Sequence, residues 1–520
     1  MDISAADLVR LLLPKLPSIT KSILLHALRL SDTSAKWDLR TALTMAILRC
    51  LVGTDTPHPM GKQQHNSIRD PGVKGRLWVS RLALPAPPED DARATLFAAI
   101  EAMKLDGIET YTQPAILPVE AEWTGYRPNV AKDAPEPSIS EAEKYESLLK
   151  DASGPTVILY FHGGAYFLMD PATHRNATAR LAQLTKGRVL SVRYRLSPQN
   201  PFPAALLDGL VAYLSLLHPP PGAPHAAVKP ENIVFAGDSA GGNLATALLQ
   251  FLLQAQRANG GHPPPISFHG ARIPLALPAG VSLNSPWMDV TRCLSSLVSN
   301  AKWDYLPPPT ALEALRYTPD DIWPTKPPRV DVFCDGAAMT HPLVSPLAAL
   351  DWTGAPPVYI VSGEEMLADE AQVVAARMAR QGVVVEWEQW EAMPHCFAMV
   401  FQGTEINRRV FDTWSDFCVR VTTGQEVKPH GVWVEAKTWE RKEVDVKGLT
   451  AMPDDEVLRQ MREKRDERIR VGEEYLKKLA EEGVGKVQAD HAKKGQAKHE
   501  VHAKEEEAKA NGKAGETAKL

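Results

Sequence analysis

A serine closely flanked by glycines sits where a short β-branched run meets a long apolar one. The stretch reads Ile233-Val234-Phe235-Ala236-Gly237-Asp238-Ser239-Ala240-Gly241-Gly242-Asn243 and continues Leu244-Ala245-Thr246-Ala247-Leu248-Leu249-Gln250-Phe251-Leu252. The first run suits a buried strand and the second a buried helix. A corner that sharp tolerates only small neighbours. It holds the serine at its tip with Oγ exposed, and the helix N-terminus behind it favours developing negative charge. A bare Gly-x-Ser-x-Gly is a weak signal in 520 residues; a strand before it and a helix after it make Ser239 a candidate nucleophile. The plain alternative is a glycine-rich turn capped by Ser239.

The rest of the chain supplies the frame that such a corner needs. Apolar runs at 157–161, 189–194, 233–235, 280–283, 358–361 and 383–387 read as buried strands, most of them separated by helical stretches. That alternation predicts an α/β fold, a mostly parallel central sheet flanked by helices. Val119, Ala121 and Trp123 alternate with Glu120 and Glu122, the pattern of a half-exposed strand.

Three regions are expected. Residues 1–110 read as a helical N-terminal cap, with apolar stretches at 8–13 and 19–30, a stripe of Leu39, Leu43, Ile47 and Cys50, and another of Leu96, Ile100 and Met103; 57–70 is polar and reads as a loop. Residues 111–425 form the α/β domain, with a Gly/Pro-rich surface loop at 259–278 and a Pro/Trp-rich pocket-side insertion at 291–351. Residues 426–520 are a charged C-terminal extension: one exposed helix over about 454–480, with a thin stripe of Leu458, Met461, Tyr475 and Leu479, then a Lys/Glu/Ala/Gly-rich disordered tail from Gln488.

Composition narrows the function classes. A net charge of -5 argues against a nucleic-acid footprint. The five cysteines are scattered and unpaired in spacing, so neither a metal knuckle nor a disulfide framework is expected, and a cytoplasmic setting is. No apolar run of spanning length and no signal-like N-terminus is read. The N-terminal stripes pack on the body in the preferred reading; in the alternative they also dip into an intracellular membrane surface as a peripheral contact.

Just after the 157–161 run comes His162-Gly163-Gly164-Ala165-Tyr166. Acyl transfer requires preformed N–H donors for an oxyanion, and small residues let the backbone approach the reacting carbonyl. Gly164 and Ala165 are the expected donors, joined by Ala240 after the nucleophile. Gly163 completes the hole by permitting the turn, and His162 braces the loop. Activating Ser239 needs a base. His395, in Met393-Pro394-His395-Cys396-Phe397, follows the last expected strand of the domain, the place assigned by the order serine, acid, histidine. The acid should follow 358–361, where Glu364, Glu365, Asp369 and Glu370 compete. Glu365 is the first choice and Asp369 the second; Asp369 also suits a helix start, and Glu364 and Glu370 are expected to face solvent.

From about 156 to 421 these motifs resemble the hormone-sensitive-lipase-like family of α/β-hydrolases. The family's His-Gly-Gly-Gly is His162-Gly163-Gly164-Ala165 here, and Gly-Asp-Ser-Ala-Gly-Gly is matched at 237–242. Tyr194-Arg195-Leu196-Ser197-Pro198 and Phe202-Pro203-Ala204 match a further family stretch, and Ser285-Pro286-Trp287-Met288-Asp289 matches a segment read as structural. The family's Asp-x-Leu-x-Asp-Glu aligns with Glu365-Met366-Leu367-Ala368-Asp369-Glu370, with Glu where the family's histidine-orienting acid is Asp. The resemblance implies a serine carboxylesterase acting on short-to-medium acyl esters through an acyl-enzyme, with no cofactor, no metal and a small-molecule ester as its partner. A membrane-associated lipid or sterol-ester deacetylase or lipase, and a non-catalytic small-ligand receptor on the same fold, stay as alternatives.

Overall fold

Strand residues on the central sheet alternate between two apolar layers. Val157, Leu159 and Phe161 join one buried cluster, and Ile158 and Tyr160 join another. The same split divides Ile233 and Phe235 from Val234 and Ala236. A strand buried on both faces must lie between helices, which is why these runs read as continuous rather than alternating. Burying each such large apolar side chain contributes about 1.5–3 kcal/mol. The computed structural model describes residues 13–52, 58–307 and 317–482. Most of the expected 8–13 stretch and all of the tail from Gln488 lie outside the described residues.

Among the described residues the sheet has ten strands. In chain order its strands are β1 (Leu77–Leu84), β2 (Val119–Tyr126), β3 (Val157–Phe161), β4 (Arg188–Arg193), β5 (Ile233–Asp238), β6 (Gly280–Asn284), β7 (Val358–Gly363), β8 (Val385–Trp390), β9 (His430–Val434) and β10 (Arg441–Glu443). Their spatial order is β1-β2-β4-β3-β5-β6-β7-β8-β9-β10. From β4 to β9 neighbours run parallel, while β1, β2 and β10 join antiparallel at the ends. Helices Ala204–Leu217, Ala240–Ala258 and Ala368–Arg380 pack on one face, and Pro171–Thr185 and Glu405–Thr422 on the other.

The structure departs from the sequence expectation in particular places. The sheet begins inside the region read as helical, because Leu77–Leu84 pairs in register with β2. Residues 57–70 contain the helix Met60–Ser67, whose polar sequence carries no apolar stripe. Gln64 at its centre is buried and donates to the carbonyls of Phe167 and Ser197, so tertiary bonds hold it. The 259–278 loop is a hairpin, Pro265–Phe268 with Ala271–Pro274. β2 is more buried than its alternation predicted: Glu122 is fully buried and paired with Arg175. Beyond 425 the sheet continues through β9 and β10. The helix Asp454–Glu482 is docked along one side, with Val457 and Met461 completely buried.

Candidate active site

β5 ends at Asp238, and the helix Ala240–Ala258 begins with only Ser239 between them. Ser239 takes φ 52° and ψ −120°, a backbone conformation that costs a non-glycine residue about 1–3 kcal/mol and persists only where its surroundings enforce it. The enforcement is visible. The Ser239 N–H donates to the Asn284 carbonyl (3.1 Å), and its own carbonyl accepts from Asn243 and Trp287 (3.0 Å each). A Cβ on Gly241 would sit 1.9 Å from the Phe161 carbonyl oxygen, so only glycine lets the helix approach β3 this closely. Ser239 remains partly exposed while its neighbours on both sides are buried.

Beside the corner, the turn after β3 reverses through positive φ at Gly164, Ala165 and Tyr166. Its internal bonds run from Phe167 and Leu168 back to the Gly164 carbonyl, which leaves the Gly164 and Ala165 N–H groups outside that pattern. Ala240 opens its helix, so its N–H has no intrahelical partner. Gly163 differs: its N–H donates to Asp238 Oδ1 (3.2 Å), so it serves the turn and is not a donor to the hole. His162 is a brace. Its ring stacks on Tyr194 at 4.3 Å, and its carbonyl accepts from the Tyr194 hydroxyl (2.6 Å). Burial, with His174 nearby, drops its pKa to about 4, so it stays neutral.

Asp238 is the hub that sequence spacing alone did not assign a role. It accepts from the Tyr160 hydroxyl (2.7 Å) and from Gly163, and it faces His174 Nε2 at 3.3 Å. Burial alone would raise its pKa; His174 and Tyr160 outweigh burial and hold it below the usual carboxylate value. The Cys396 sulfur lies 3.9 Å from Asp238 Oδ2. The residue after His395 thus touches the residue before Ser239, and the histidine loop lies against the serine corner.

The competition among carboxylates has a clear geometric outcome. Glu365, fully buried, bonds His395 Nδ1 through Oε2 and accepts from Ser362 Oγ (3.1 Å) and the Gly363 N–H (3.3 Å) through Oε1. Asp369 is turned away and accepts from Ser295 Oγ and the Ser296 N–H. The expectation that Glu370 faces solvent is corrected, while Glu364 stays partly exposed. Glu364 accepts from the Ala392 N–H at 2.9 Å. Glu370 is buried beneath the Met288 N–H, where burial and Asp289 push its pKa well up. Burial would hold His395 neutral, but the Cys396 and Glu365 side chains outweigh it and raise its pKa well above the ordinary imidazole value. Burial itself pushes the Cys396 thiol to about 12.

One buried carboxylate here was missed from sequence. Asp304, 1 % exposed, accepts from the N–H groups of Tyr305 (2.7 Å), Leu306 (3.2 Å), Met366 (2.9 Å) and His395 (3.3 Å). It ties the histidine loop to the segment carrying Glu365. Burial, then Glu365, raises its pKa. Its only sequence signal was a lone acid between Trp303 and Tyr305 in the 291–351 insertion.

A strand-to-helix serine, a turn rich in positive φ beside it and a carboxylate-held histidine on the neighbouring loop define an α/β-hydrolase. Comparison agrees: a family described as alpha/beta hydrolase fold matches residues 158–399. An acetyl-hydrolase of Streptomyces hygroscopicus is 33% identical over 272 residues, covering 52% of this chain and 77% of that protein. An esterase of Acinetobacter venetianus is 32% identical over 257 residues, 49% of this chain and 71% of that one. The crystal structure of EstE5 soaked with p-nitrophenyl butyrate superposes with a TM-score of 0.51 at 23% identity, covering 74% of this chain and 100% of that one, a likeness of fold. The chain belongs to this alpha/beta hydrolase family and is an ester-hydrolysing enzyme of the serine-hydrolase fold.

Proposed function

We propose that the chain is a serine carboxylesterase for short-to-medium acyl esters, with Ser239, His395 and Glu365 as its triad. The observation that carries this reading is the bond from Glu365 to His395 Nδ1, made while Asp369 is occupied elsewhere. With Nδ1–H held by Glu365, the other ring nitrogen is the acceptor and serves as the base. Ser239 Oγ attacks the ester carbonyl and passes its proton to His395 Nε2. The oxyanion is received by the N–H groups of Gly164, Ala165 and Ala240. His395 then protonates the leaving alcohol, and water, activated by the same imidazole, releases the acid from the acyl-enzyme.

The test is a p-nitrophenyl ester series with wild type, Glu365→Ala and Asp369→Ala. Removing the orienting acid should cut kcat by about 10⁴-fold, and Asp369→Ala should retain most turnover. The reverse result would transfer the acid role to Asp369. The pH profile adds a signed check. Because Glu365 raises the His395 pKa, the imidazole is protonated at low pH and cannot act as a base. Activity should rise with pH as His395 loses its proton, and Glu365→Gln should move the acidic limb of kcat/KM to lower pH. An unmoved limb would separate Glu365 from His395.

A second reading, peripheral contact with an apolar surface, draws on one observation. Leu24, Leu28 and Leu30 at the end of the helix Leu16–Ala27 are 57%, 58% and 67% exposed. No helix among the described residues is long and apolar enough to cross a membrane. Sedimentation with zwitterionic vesicles should carry down wild type and release the Leu24→Ser, Leu28→Ser pair; equal recovery of both would end this reading.

A further inference from the structure

The helix Asp454–Glu482 has no counterpart among the motifs that placed the site, yet it reaches the site's edge. Buried arginines lash its first half to the body. Arg468 donates to the Val290 carbonyl (2.5 Å) and to Asp331 Oδ2 (2.7 Å). Arg465 bonds Asp106 and donates to Thr340 Oγ1 (3.0 Å), and Arg377 reaches Asp454 (2.7 Å). Gly336 lies under the helix where a Cβ would come within 2.9 Å of the Ile469 side chain, so the approach is close.

Beyond Ile469 the helix turns apolar on one face. Val471, Tyr475 and Leu479 recur every fourth residue and therefore line up. They enter a cluster with Met60, Phe167, Tyr317, Trp323 and Val332. Ala165 and Leu168 pack against this same cluster. Ala165 is one of the proposed oxyanion donors, and Leu168 closes the turn that shapes the hole. The apolar face of the C-terminal helix thus packs in the same cluster as the turn that carries Ala165. The Trp323 indole N–H is buried in this cluster with no acceptor among the described residues.

We infer that the far half of this helix, through Tyr475, forms the outer wall of the substrate pocket on the oxyanion side and sets the size of the apolar group the enzyme accepts. This rests on the esterase reading above. It assigns a specificity role to a segment whose composition reads as a solvated extension.

The experiment measures kcat/KM from p-nitrophenyl acetate to palmitate for the full chain and for Tyr475→Ala and Tyr475→Trp. A side-chain-sized change in an apolar pocket is worth roughly tenfold or more in discrimination. Tyr475→Ala should raise the octanoate-to-acetate ratio by roughly that factor, and Tyr475→Trp should lower it. Profiles that superimpose on wild type, or that fall in parallel at every chain length in both variants, reduce the helix to a brace and overturn the inference. A wild type inert on the whole series would instead count against the esterase reading. The wall is then read by binding: Ser239→Ala titrated with p-nitrophenyl octanoate, followed by tryptophan fluorescence, with and without Tyr475→Ala. An affinity unchanged by Tyr475→Ala overturns the inference on that route as well.

Discussion

The two ends of the chain invert what their compositions promise. The N-terminal helices Leu16–Ala27 and Leu39–Val52 are leucine-rich, yet leave Leu24, Leu28, Leu39 and Leu43 exposed. The 29-residue C-terminal helix is dominated by charge, yet buries Arg465 and Arg468 to 5% and 3% exposure. The N-terminal end attaches through a few directed bonds. Trp37 Nε1 donates to the Ala392 carbonyl (2.6 Å), Lys36 pairs with Glu391 (2.5 Å), and Arg49 Nε reaches the Asp304 carbonyl (2.9 Å). These contacts fall on the histidine side of the site, and those of the C-terminal helix on the turn side. What docks a helix here is the partner waiting for its polar groups, not the count of its apolar ones.

That contrast breaks most sharply at Arg468. Arg468→Ala leaves Asp331 buried without its cation, and such a loss costs about 3–5 kcal/mol; denaturant midpoints should drop accordingly, and an unchanged midpoint would mean the helix merely lies on the surface. A smaller effect is expected at the other end. Trp37→Phe keeps the ring but removes the donor to Ala392, a cost of about 1–3 kcal/mol. Its kcat should fall more than its KM rises, because the loop it braces carries His395. Equal changes in both constants would detach the N-terminal helices from the histidine. Smallest of all is Leu24→Ser with Leu28→Ser, for which thermal melts should shift by no more than about 0.5 kcal/mol, even where vesicle binding is lost.

The sheet and the serine corner were legible in the sequence because both are local. A β-branched run, small residues at a turn and an apolar helix occupy consecutive positions, and each preference agrees with the next. His395 was legible from chain order. Glu365 was ranked ahead of Asp369 by its place in the family element, although the two lie only four residues apart in a carboxylate-rich segment; the fold brings Glu365 to the imidazole. Asp304 lay in a stretch with no periodicity and is defined by amides from distant segments. The helix Met60–Ser67 and the strand Leu77–Leu84 were misread for opposite reasons. The first has no apolar stripe and is held by Gln64. The second has an apolar run but sits among helices, and its strand nature depends on pairing with residues more than thirty positions on. Glu122 and Arg468 share the remaining difficulty: charged residues read as solvated until their buried partners are known.

The continuation of the sheet past β8 bears on self-association. An open strand edge is a template for a second chain. Here β8 is covered by β9, and the final strand is Arg441-Lys442-Glu443, three residues that are all exposed and all charged. At the opposite margin, the helix Glu141–Asp151 lies against β1, with Ser80 Oγ bonded to the Glu141 carbonyl and the Arg81 N–H to its carboxylate. A copy arriving to extend the sheet meets three charged side chains at one border and, at the other, a strand whose Arg81 N–H is already taken by Glu141.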